Sequence, residues 1–162
     1  MNPWKSKRYK RIYTDESLPA GLRFRIAKDV HPDIRALFLD FGKWLRKNYA
    51  FPIRVTVYVR SCEMVRLLSG SMAYGAFRWF DTFDEPYIRI PAGDYPERAL
   101  KVGRESAADA ILSSLVHELT HYFQWVNQME QTDRSSEWQA NYYRYRIIDL
   151  YLEQTGKDRL VD

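Results

Sequence analysis

The 162-residue sequence predicts a single α+β domain: an amphipathic helix, a small, mostly antiparallel sheet of three to four strands, and two long helices toward the C-terminus. Three observations predict it. Apolar residues alternate with polar ones from Ile53 to Arg60, two long stretches (106–126 and 135–154) carry apolar residues at three- and four-residue steps, and Gly and Pro fall outside all three segments. With 46% hydrophobic and 15% aromatic residues, such a chain can bury one sizeable core.

Residues 1–28 read as a basic arm and residues 29–162 as the domain. Pro32 in a first turn, followed by Ile34, Leu37, Phe38, Phe41, Trp44 and Leu45, describes a helix ending near Asn48. After Phe51-Pro52, the residues Ile53, Val55, Val57 and Val59 alternate with Arg54, Thr56, Tyr58 and Arg60, as a half-buried strand requires. Glu63 to Leu68 fits a short helix or irregular chain equally. Two further strands, about Ala76 to Phe80 and Tyr87 to Ile90, flank an acidic turn at Asp81-Thr82-Phe83-Asp84-Glu85-Pro86, and Pro91 and Gly93 stop the second.

The first long helix reads from Ser106, a plausible N-cap, to about Val126, with Ala108, Ile111, Leu112, Leu115, Leu119 and Phe123 as its apolar stripe. Within it lies His117-Glu118-Leu119-Thr120-His121. Residues four apart share a helix face, so His117 and His121 can offer two imidazole nitrogens to one zinc ion, and Glu118 can reach a water beside it as general base. Leu115 and Leu119 lie roughly opposite His117, and burying them turns the histidines toward a cleft.

A catalytic zinc usually keeps three protein ligands. A third histidine at the metzincin spacing is excluded, because positions 124 and 127 hold Gln124 and Asn127 instead of Gly and His, and His31 lies far upstream without a motif. Glu137, sixteen residues after His121, is the natural candidate. It stands near the start of the second long helix, about Ser135 to Gln154, which Thr132 or Asp133 can cap and Gly156 can end. Ala140, Tyr143, Ile147, Leu150 and Tyr151 form its core-facing stripe. Ala140 is small enough to let the two helices approach, and Asn141 can hydrogen-bond a ligand or the backbone near it.

The pattern His117-Glu118-x-x-His121 followed by Glu137-x-x-Ala140-Asn141 resembles the gluzincin-type zinc metallopeptidases, in particular the minigluzincins and the ImmA/IrrE-like peptidases. The motif match covers about residues 106–145. The resemblance implies a zincin-like fold with His117, His121 and Glu137 as Zn2+ ligands and Glu118 as general base of a zinc metalloendopeptidase. It further implies that an extended peptide or protein substrate adds to an edge strand above the metal, for which either of the last two strands could serve. Tyr142, Tyr143, Arg144, Tyr145, Tyr74 and Tyr87 are candidate donors to a developing oxyanion.

Charge is uneven. Residues 1–28 hold eight basic side chains (Lys5, Lys7, Arg8, Lys10, Arg11, Arg23, Arg25, Lys28) against Asp15 and Glu16, while the whole chain carries +4. With Trp4, Tyr9 and Tyr13 interleaved, this arm can pack on the protein, grip a nucleic acid, bind another acidic partner, or fold over the cleft and keep it latent through Tyr9 or Tyr13. Three function classes follow: a metallopeptidase, a catalytically silent metal-binding or interaction protein, and a protease recruited to nucleic acid. The single Cys62 permits no intrachain disulfide and reads as a buried or half-buried residue. No apolar leader or membrane-length stretch is present, so a cytoplasmic location without membrane contact is the expectation.

Overall fold

The computed structural model describes residues 1–80 and 85–162. In chain order the elements are a one-turn helix α1 (Tyr9–Ile12), strand β1 (Leu22–Ile26), helix α2 (Pro32–Asn48), strands β2 (Val55–Arg60), β3 (Val65–Arg66), β4 (Met72–Ala73), β5 (Ala76–Arg78) and β6 (Tyr87–Pro91), and helices α3 (Tyr95–Val102), α4 (Arg104–Val126) and α5 (Asp133–Thr155). The fold is α+β, with His117 and His121 on α4 and Glu137 on α5.

The sheet is mostly parallel, which corrects the antiparallel expectation. Its four strands run in the order β1-β2-β6-β5, with β1–β2 and β2–β6 parallel and only β5–β6 antiparallel. Part of the reason is β1, which lies inside the basic stretch and was not anticipated. Leu22-Arg23-Phe24-Arg25-Ile26 alternates as β2 does and pairs Leu22 with Val55 through Ile26 with Val59. A chain that returns through a helix re-enters the sheet in its original direction, whereas a tight turn reverses it. Helix α2 makes that crossover between β1 and β2. The antiparallel part is the expected last pair, with Phe77 opposite Ile88. Of its acidic turn, residues 81–84 lie outside the described residues. The ambiguous stretch Glu63 to Leu68 contains β3, which forms a separate two-stranded ribbon with β4. Because β6 is paired on both sides, β5 is an outer strand of the main sheet.

Helix α2 buries its anticipated stripe, and the His31 imidazole caps it by accepting from Asp33 N at 3.0 Å. Helix α4 begins at Arg104, three residues earlier than an N-cap at Ser106 implied, because α3 runs directly up to a break at Gly103, whose φ of 91° belongs to the left-handed half that favours glycine. Leu112, Leu115 and Leu119 of α4 are fully buried. Tyr122 sets the helix against the sheet: its hydroxyl donates to Ile53 O and accepts from Ile53 N, just before β2. Helix α5 is capped by Thr132 Oγ1, which accepts from Ser135 N at 3.1 Å, and it ends at Gly156 in the left-handed region. Tyr151 of α5 meets Phe41 and Trp44 of α2 at ring-centroid distances of 5.0 and 5.5 Å.

The segment before β1 packs inward. Trp4 is buried between Tyr49 and Phe123, its Nε1 donates to Thr120 Oγ1 at 3.0 Å, and Asn127 receives Tyr9 N while donating to Pro3 O. Tyr9 and Tyr13 pack partly buried against the same core. Cys62, just past β2, is exposed and not buried as anticipated. Among the described residues, no helix is long and apolar enough to cross a membrane.

Asp40 links α2 to the end of α5. Lys157 and the Tyr151 hydroxyl both donate to its Oδ2, and these bonds hold the carboxyl below the usual aspartate range. A lowered folded value means that the contribution is present above about pH 4, where a free aspartate titrates, and fades as pH falls through the folded value. The urea midpoint of Asp40→Asn should therefore lie below wild type at pH 7 and converge on it toward pH 2. A constant gap would show that the charge is not the cause.

Candidate metal centre

His117 and His121 stand one turn apart on α4, and the burial of Leu115 and Leu119 on the core side turns both imidazoles toward α5. Glu137, in the first turns of α5, meets them. Its Oε2 lies 3.2 Å from His117 Nε2 and its Oε1 2.9 Å from His121 Nε2, while the two Nε2 atoms are 3.3 Å apart. The three side chains form a group that could hold a metal ion. Two donors each 2.0–2.1 Å from a tetrahedral ion sit about 3.3 Å apart, so the observed spacing fits one cation between the histidines. The chemistry of the donors agrees. Two imidazole nitrogens turned on each other across 3.3 Å, with a carboxylate closing the third side, call for a shared positive charge. Burial and the neighbouring His121 hold His117 below its ordinary pKa, which keeps a lone pair available.

Glu118 is not part of this group. It is 9% exposed beside it, and desolvation, reinforced by the charge of Glu137 and opposed by Arg144, pushes its carboxyl up to about 8. A cation held at the triad would offset the charge of Glu137 and favour the ionised carboxylate. The space for Glu118 comes from Gly75, immediately before β5. A Cβ built there would lie 3.2 Å from both Cγ and Oε1 of Glu118, so the absent side chain brings the strand close to the carboxylate.

The three groups open into a cleft of about 710 Å³ between α4, the start of α5 and outer strand β5. Gly75, Phe77 and Trp79 line the strand side, Trp125 and Met129 the helix side, and Tyr13 reaches the rim from the N-terminal segment. Tyr9 lies instead on a separate groove beside Trp4.

Of the residues singled out from sequence, Ala140 is fully buried, and Asn141 is exposed, its side chain beside the His117 ring and accepting from Arg144 at 3.4 Å. His117 Nδ1 is buried without a hydrogen-bond partner among the described residues. Among the candidate oxyanion donors, Tyr142 and Tyr145 are exposed, Tyr74 is exposed beneath Arg98, and Tyr87 packs on Tyr58. Arg144 is the one whose charge acts on both Glu118 and His117, and Ser113 anchors it by accepting from Nη2 at 3.2 Å.

Sequence reasoning missed Gln124 and Ser136. Gln124 Oε1 lies 2.8 Å from His121 Nδ1, and Ser136 Oγ donates to that same oxygen at 2.8 Å. The signal was available: Gln124 follows His121 by one helical turn and is a polar residue within an otherwise buried segment. The residues thus define an α+β protein with a His-His-Glu group able to hold a metal. No protein-family model matches the chain, and neither does any curated protein or solved structure.

Proposed function

We propose that this protein is a zinc metallopeptidase of the gluzincin kind, with His117, His121 and Glu137 holding the ion and Glu118 serving as general base. The observation that carries this reading is the position of Glu118. A buried carboxyl directly beside a three-donor group, facing an open cleft, is the arrangement needed to take a proton from water and return it to a leaving amine. When bound, zinc would supply Lewis acidity that acidifies water and polarises the scissile carbonyl. Imidazole and carboxylate also suit other divalent metals, and the reactivity sought favours zinc.

The chain's own groups account for the remaining work. β5 offers the outer edge along which an extended peptide can add as a further strand, and Gly75 lets the peptide backbone approach Glu118. Phe77, Trp79 and Trp125 give the cleft an aromatic wall suited to apolar substrate side chains. Arg144, held by Ser113, is the cation whose charge reaches both His117 and Glu118, and it is the candidate to ease the negative charge that develops on the carbonyl oxygen.

The test is zinc content by elemental mass spectrometry, comparing wild type with a folded Glu137→Ala variant after identical dialysis. Near-stoichiometric zinc in the wild type and sharply less in the variant is the expected result. A wild type that takes up no zinc even after supplementation would sink the proposal, and equal retention by the variant would remove Glu137 from the ligand set.

A further inference from the structure

The tautomer of a histidine decides which ring nitrogen can bind a metal, and here the structure determines it from one atom that has no choice. Ser136 O is a backbone carbonyl and can only accept. The Gln124 amide places Nε2 3.1 Å from it and 2.9 Å from Gln139 Oε1, so the opposite end of the amide, facing His121, must be Oε1. That oxygen can only accept, and it lies 2.8 Å from His121 Nδ1. Nδ1 therefore carries a proton, and Nε2, which faces Glu137 Oε1 at 2.9 Å, is the ring nitrogen a metal can take.

The same amide positions Glu137. Its two acceptor and two donor directions are all used, by His121 Nδ1 and Ser136 Oγ on one side and by Ser136 O and Gln139 Oε1 on the other. Flipping it would set oxygen against oxygen at Ser136 and Gln139, so its orientation is locked. Ser136 and Gln139 flank Glu137 on α5, and Gln124, 6% exposed, is thus a cross-link between the two helices at the level where the third donor must arrive. Gln139 is itself braced: its Oε1 also accepts from Gln131 at 3.0 Å and its Nε2 donates to Met1 O at 2.9 Å.

We infer that Gln124 is the positioning residue of the metal centre, fixing His121 with the proton on Nδ1 and docking the start of α5 so that Glu137 completes the triad. The inference rests on the reading of His117, His121 and Glu137 as metal ligands, but not on peptidase activity. Groups that orient metal-binding histidines typically change metal affinity by about 10- to 100-fold when removed.

Two measurements test it. The first is the imidazole 1H–15N correlation spectrum of metal-free wild type, which should show His121 protonated on Nδ1. The second is zinc affinity by chelator competition for Gln124→Leu and Gln124→Glu, each checked for folding by circular dichroism. The leucine variant should bind zinc about 10- to 100-fold more weakly and show His121 in mixed tautomers. The glutamate variant keeps an acceptor for Nδ1–H but loses both donors to α5, so it should retain the wild-type tautomer with intermediate affinity. A merely structural role would not separate the two substitutions in this way. A wild-type His121 whose Nδ1 carries no proton overturns the inference, as does a folded leucine variant with zinc affinity within threefold of wild type. Should the leucine variant fail to fold, the wild-type spectrum and the glutamate variant decide. Zinc-loaded wild type that hydrolyses no peptide would remove the peptidase proposal and leave this inference standing.

Discussion

Replacing Glu118 by glutamine is expected to lower kcat/KM for peptide hydrolysis by roughly 10²- to 10⁴-fold, the range typical of losing a general acid–base group. Zinc content should not change, because Glu118 lies outside the triad. The substitution preserves shape and removes a carboxyl that desolvation and Glu137 both disfavour as an anion, so the metal-free variant should melt at or above the wild-type temperature. That combination separates the chemistry from the fold: activity collapses while metal and stability hold. If Glu118→Gln hydrolyses peptides at the wild-type rate with full zinc, the base is another residue. If it loses zinc as well, Glu118 belongs to the ligand set.

The second large effect is on stability, and it comes from the N-terminal segment. Trp4→Ala removes an indole that is 4% exposed, stripping contacts with Tyr49 and Phe123 and leaving Thr120 Oγ1 without its donor. Buried Trp-to-Ala changes cost about 3–5 kcal/mol. At about 2–4 °C per kcal/mol for a protein of this size, the melting temperature should fall by roughly 6–20 °C. Thermal melts followed by circular dichroism check this directly. A shift below about 2 °C, under the smallest value this scale allows, would mean that the segment is an ornament on a core complete without it. The result also governs any truncation test of latency: deleting residues 1–13 removes Trp4 along with Tyr13 at the rim of the cleft, so an effect on activity would mix lost packing with lost cover.

Much of the site was legible because it is local. His117, Glu118 and His121 share one turn of helix, Glu137 follows across a short linker, and helical periodicity on both sides fixes which way the side chains point. The helices α2, α4 and α5 were legible for the same reason. The sheet was less so, since pairing partners far apart in sequence leave no periodic trace. The alternation in Leu22-Arg23-Phe24-Arg25-Ile26 was present but masked by its arginines, which made the segment resemble a solvated arm. Arg23 has partners instead, as it reaches Thr56 and Glu85 across the sheet. Gly75 escaped notice because its role depends on Glu118 opposite it, on another element, and for Gln124 the same holds of its bonds to α5. Helix α3 is a short amphipathic turn between two breaks, with Pro96 at its second position and Gly103 at its end, and offers too few residues for a periodicity to emerge.

The division of the site between nearby and distant parts of the chain bears on how it comes into being. All three donor side chains lie within residues 117–137, on two helices joined by a short connection, so a helical hairpin alone brings them together. The strand beside Glu118 belongs to a sheet whose parallel pairings must first close long loops, and such contacts form late and slowly. On the proposed function, holding the ion thus needs only this hairpin, whereas cutting a peptide also needs the sheet that carries β5.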